Sequence, residues 1–211
     1  MSTLSHYFST IGSSIKELPA KIRASRLWRE FPWRDILVTI IFTLIVYCAI
    51  SFSLQNTEVT GPSMEPSLHN GERVLINKLA YRFGGEPQRG DIIVFISPEQ
   101  PEGDVSYVKR VIGLPGERVK IENGYVYIIQ ADGTEIRLDE DYLPQPMLGY
   151  YVSGVIPEDH YFVLGDNRNN SADSRHGWTV PKSDILGKAW IVIWPPSEWG
   201  SAPNQKVGAT S

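Results

Sequence analysis

Cysteine is all but missing from this sequence. One thiol, Cys48, stands in 211 residues. That excludes an intramolecular disulfide and any zinc site built on several thiolates. Only four histidines occur, and none lies in a familiar triad motif. His176 follows Asp173 and Ser174, but a Ser-His-Asp reading is the weaker one there. The acidic loops lack the ligand order and closing glutamate of an EF-hand. A basic face is missing from the body as well. Residues 1–35 hold six basic side chains (Lys16, Lys21, Arg23, Arg26, Arg29, Arg34) and three acidic ones (Glu17, Glu30, Asp35). The remainder holds 14 basic and 21 acidic residues. Phosphate binding needs a basic surface, so nucleic acid is excluded as a partner. With 42% hydrophobic and 21% charged residues, the chain has the composition of a folded protein rather than a disordered one.

Long apolar runs are limited to one. Ile36–Leu54 is 19 residues without a charge, and as a helix it spans roughly 28 Å, the thickness of a bilayer core. A soluble helix would show a polar face, and this stretch offers only Thr, Ser and Tyr. Residues 36–54 therefore read as a transmembrane helix. The basic excess before it places the N-terminus in the cytoplasm and the body outside, with Trp28 and Trp33 near the inner boundary. Ala49 and Ser51 form a small-x-small pattern that would suit a cleavable signal peptide. The run starts too far into the chain for that and is longer than a usual signal core, so an anchor is favoured. The expected organisation is a weakly ordered cytoplasmic segment at 1–35, the helix at 36–54, an extracytoplasmic domain at 55–195 and a loose Pro/Ser/Gly-rich tail at 196–211. The expected location is a single pass in the cell (plasma) membrane.

After Leu54 no helical period survives. Short runs rich in Val, Ile and aromatics follow one another at 72–78, 91–97, 105–112, 117–122, 124–130, 135–138, 160–164 and 188–194, separated by Gly, Pro, Asn and Asp. Asn123-Gly124, between RVKIE and YVYII, is a hairpin signal because both residues tolerate positive φ. Asp132-Gly133 offers a second. These patterns predict a mainly β domain of antiparallel sheets.

Three segments depart from plain strand filler. In TGPSMEPSL, Thr60–Leu68, two prolines stiffen the chain around Ser63; a linker leaving the membrane would look similar. In SYVKRVIGLPGERV, Ser106–Val119, strand alternation puts Lys109 on one face with Tyr107 and Val111, and Arg110 on the other with Val108. An edge lysine reaching solvent by its stem is the bland alternative. In LGDNRNNSADSRHGW, Leu164–Trp178, Asp166, Asn167, Asp173 and Arg175 can form a polar network that fixes a loop. Joined, the first two segments make chemistry. A serine hydroxyl needs a base, and a lysine buried among apolar groups loses its proton more readily.

GPSMEPSL at 61–68, GDIIVF at 90–95, KRVIGLPGE at 109–117 and GDNRNNSADSRHG at 165–177, in that order, resemble the boxes of the type I signal peptidases, Ser/Lys dyad proteases. The resemblance implies a β fold shared with LexA-type self-cleaving repressors. It implies Ser63 as nucleophile and Lys109 as general base, with the Ser63 N–H stabilising the oxyanion. Ser171 would orient the lysine, Asp173 and Arg175 would form a supporting ion pair, Met64 would line the substrate side, and Arg110 would be a further supporting residue. Some members carry a serine two positions before the nucleophile as a second oxyanion donor; here that position is Gly61. No cofactor or metal is implied. The substrates would be exported preproteins cut after small-x-small sequences, the lipid bilayer a partner, and the export machinery a further candidate contact. A self-processing LexA-like regulator and an inactive anchored scaffold remain alternatives.

Overall fold

The computed structural model describes residues 32–99, 105–205, 207 and 209–210. The chain divides into two units, Met1–Ala49 and Ile50–Ser211. Helix α1, Trp33–Ser53, supplies residues 33–49 of the first unit, all of them exposed, and its last four residues belong to the second. It is the one described helix long and apolar enough to cross a membrane. It starts three residues ahead of the sequence expectation, because Pro32 suits a helix entrance and its carbonyl accepts from the Asp35 and Ile36 N–H groups. The expectations for residues 1–31 lie outside the described residues.

The second unit is built from antiparallel strands. They are β1 Leu54–Glu58, β2 Arg73–Asn77, β3 Ile92–Ile96, β4 Ser106–Gly113, β5 Arg118–Glu122, β6 Tyr125–Ile129, β7 Glu135–Leu138, β8 Tyr151–Val152, β9 His160–Leu164, β10 Val180–Pro181, β11 Ile185–Trp194, β12 Gly200–Ser201 and β13 Ala209–Thr210. One sheet runs β1-β2-β11-β3-β4-β9-β10, with β12 on β11; the other runs β13-β7-β6-β5-β8. The eight sequence runs all appear as strands. β5 and β6 alternate buried and open positions identically, and Asn123 and Gly124 join them at φ +54 and +88, as a primed hairpin turn requires.

Three apolar clusters hold the unit together. One gathers Met64, Leu68, Val74, Ile76, Ile92 and Val108 under the first sheet. A second packs Val119, Ile121, Val126 and Ile128 of the other sheet with Phe162 of β9. The third packs Ile93, Phe95, Val111, Tyr161 and Val163. Within the segment expected to be a loose tail, residues 202 and 204 are held by the rest of the unit. Ala202 is buried in the first cluster, and Asn204 Oδ1 accepts the Ile92 N–H at 2.7 Å while its Nδ2 donates to the Ala189 carbonyl at 2.8 Å. Composition rich in Pro and Gly sets local flexibility; these tertiary bonds override it.

Candidate active site

Ser63 lies on the loop between β1 and β2. The loop is closed at its base, where Val59 N–H donates to Glu72 O and Gly71 N–H to Val59 O. Met64 and Leu68 project inward and are fully buried. Met64, expected to line the substrate side, thus has no exposed surface. Turned inward by the tight Pro62–Glu65 turn, it anchors the loop from beneath. Gly61 takes φ +86, which favours glycine, and its N–H donates to Asn70 Oδ1 at 2.7 Å.

Lys109 sits on β4, opposite Ile93 of β3. Only 4% of its surface is exposed, and Nζ lies 2.6 Å from Ser63 Oγ, in hydrogen-bond contact. Burial lowers its pKa to about 8, against the opposing pull of the Asp173 and Asp166 carboxylates. The ring centre of Tyr107 is 5.5 Å from the amine.

Arg110 turns to the other face, as alternation requires, but not into solvent: it is fully buried. A bidentate pair with Asp166 at 2.8 and 2.6 Å, bonds to the Gly90 and Pro203 carbonyls at 2.9 and 3.0 Å, and the Tyr142 ring below satisfy it. A lone buried guanidinium would be untenable; this one has acceptors on every side.

The turn after β9 faces the serine loop. Asn167 N–H donates to the Ser63 carbonyl at 3.0 Å, and its side chain donates to Pro62 O at 3.1 Å. Asp173 is fully buried, accepts the Gly165 N–H at 3.1 Å and pairs with Arg175 at 2.7 and 2.9 Å. Ser171 Oγ is buried and, among the described residues, has no hydrogen-bond partner; no bond to Lys109 forms. A Cβ on Gly165 would come within 2.2 Å of Ser171 Oγ and 2.4 Å of Ser63 O. His176 is exposed, and the Ser174 hydroxyl instead accepts the Val163 N–H at 3.0 Å, so these residues form no triad.

Sequence reading passed over two groups. Gly165 owes its role to a close approach that no local pattern announces. Arg168, buried after Asn167, pairs with Glu140 at 2.7 and 2.5 Å, meets Tyr142 Oη at 3.2 Å and donates to Gly165 O at 3.1 Å. Among the described residues, no cluster of three or more His, Cys, Asp or Glu could hold a metal ion.

A family model described as "Signal peptidase, peptidase S26" matches residues 33–194. A probable signal peptidase I-2 from Synechocystis sp. is 36% identical over 170 residues, covering 79% of this chain and 75% of the relative. A signal peptidase I from Leptolyngbya laminosa is 35% identical over 188 residues, covering 86% and 90%. A solved signal peptidase I from Enterococcus faecalis V583 shares 35% identity with a TM-score of 0.42, over 49% of this chain and 96% of that one.

Proposed function

The chain belongs to the signal peptidase family, peptidase S26, serine peptidases that remove signal peptides, and we propose that it does so with Ser63 as nucleophile and Lys109 as general base. The observation that carries this assignment is the 2.6 Å contact between the Ser63 hydroxyl and a buried amine. With the amine pKa near 8, roughly one molecule in ten carries a neutral lysine at pH 7.

Ser63 Oγ attacks the scissile carbonyl carbon as its proton passes to Lys109 Nζ. The oxyanion develops beside the Ser63 N–H, which makes no hydrogen bond among the described residues and is free to donate. Gly61 adds no hydroxyl to it. Collapse breaks the C–N bond, the departing amine takes the proton from Lys109, and the signal peptide stays as an ester on Ser63. Lys109 then draws a proton from water, which attacks the ester and restores the hydroxyl. The unpaired Ser171 hydroxyl is assigned to steady the lysine amine while Ser63 is acylated. The Asp173–Arg175 and Arg110–Asp166 pairs hold the two loops. Helix α1 anchors the enzyme in the bilayer, with the basic N-terminal segment in the cytoplasm and the β domain outside, beside the export machinery that delivers preproteins.

Full-length protein in lipid vesicles should cut a preprotein at its small-x-small junction. Ser63→Ala and Lys109→Arg should each lower turnover by at least about 10³-fold, as for other nucleophile–base units; arginine keeps its proton and cannot act as base. Turnover of either variant close to wild type would overturn the assignment.

A further inference from the structure

The connection from β2 to β3 carries a feature that catalysis does not use. Its tip, Phe83, is 82% exposed, the most exposed large apolar side chain among the described residues. Two basic residues accompany it, Lys78 and Arg82, and among the described residues neither forms an ion pair. The nearby Glu86 is already engaged by Lys182 and by the Tyr161 hydroxyl. The segment is built rather than slack. Leu79 N–H donates to Asn77 Oδ1 at 2.9 Å, Arg82 N–H to Leu79 O at 3.3 Å, and the Tyr81 hydroxyl to Asp91 at 2.8 Å.

Its position gives that tip a meaning. Lys78 N–H donates to the carbonyl of Ser53, the final residue of α1, at 2.8 Å. Leu54 pairs with Asn77, and the Arg82 guanidinium stands 4.8 Å above the Phe52 ring. The segment is therefore clasped to the final turn of the helix, where a spanning helix emerges into the headgroup layer. An exposed phenyl ring flanked by two uncompensated cations matches that layer, apolar on one side and anionic on the other.

We infer that Lys78–Gly85 is a second membrane contact, with Phe83 seated at the interface and Lys78 and Arg82 on the headgroups of anionic phospholipids. This rests on the reading of α1 as the membrane anchor.

The test uses the full-length chain reconstituted in vesicles of phosphatidylcholine with phosphatidylglycerol. A Cys48→Ser background takes a single environment-sensitive fluorophore through Phe83→Cys, or through Ala131→Cys on the exposed hairpin of the second sheet. The label at 83 should be blue-shifted and quenched several-fold more by lipids spin-labelled near the headgroup than the label at 131. Lys78→Glu with Arg82→Glu, or vesicles of phosphatidylcholine alone, should remove most of that difference. Equal quenching at 83 and 131 would overturn the inference, as would quenching indifferent to lipid charge and to the double substitution. Shielding of position 83 from aqueous iodide without lipid quenching would point to a second copy of the chain and overturn it too. A label on native Cys48 separates the two readings. If Cys48 is quenched by deep-labelled lipids and position 83 is not, the anchor stands and the loop contact falls. If Cys48 is not quenched, the anchor itself falls. None of these readouts depends on proteolysis.

Discussion

At position 109 an ammonium is enclosed by Tyr107 and Val111 along its own strand and Ile93 across from it. Burial therefore disfavours the charged form relative to water, and the amine's pKa of about 8 stands below the ordinary 10.5. Two outcomes follow. The acid limb of kcat/KM should rise with pH and level off above an apparent pKa near 8, measured on a preprotein from pH 6 to 10. A flat profile would remove Lys109 as base. The same shift bears on stability. Because the folded pKa lies below the unfolded one, the cost of holding Lys109 is fully present below pH 8 and is relieved as pH rises toward 10.5. Lys109→Met should thus stabilise the inactive domain by about 3 kcal/mol at pH 7. That gain should fade by pH 10.5, as denaturant titrations at the two pH values would report. Neither Ser63 nor Lys109 stands out alone, since a proline-framed serine suits a linker and a charge in an apolar strand suits an edge lysine; the four boxes in their order are what point to the two together. The expected Asp173–Arg175 pair forms, whereas Ser171, expected to orient the lysine, makes no bond to it. The inward turn of Met64 was not legible in the sequence, because nothing in PSMEPS says which side of the loop the core lies on.

Among the elements, the turn after β9 and the serine loop behave as one piece. Asn167 ties to the backbone at both Ser63 and Pro62, and Gly165 leaves no room between them for a methyl group. Gly165→Ala should therefore push the Ser63 backbone aside. Displacements of about 1 Å can cost on the order of 10²-fold in rate, so a loss of that size in kcat is expected, larger than any change in KM. Steady-state kinetics on the preprotein would check it, with near-UV circular dichroism confirming that the fold is kept. Elements whose own pattern carries their burial were readable in advance. RVKIE and YVYII alternate as they should. The two-residue strands β8 and β10 exist only because β5 and β9 offer them an edge, and no local signal could reveal that.

For the whole molecule, the buried Arg110–Asp166 pair joins parts distant in sequence: Gly90, Ser67, Tyr142 and Pro203 all meet the same guanidinium. Breaking it by Asp166→Asn should leave an uncompensated buried cation and lower stability by about 3–5 kcal/mol, seen as a large drop in Tm with cleavage lost alongside. Asn204→Ala, which removes partners from Ile92 and Ala189, should cost about 1–3 kcal/mol by the same thermal assay. Pro203 has a further consequence, in the order of synthesis. A nascent chain that has released Ser63 and Lys109 but still holds residue 203 in the ribosome lacks an acceptor for Arg110. The buried cation that bridges the Ser67 loop and Asp166 is then one acceptor short until residue 203 has emerged.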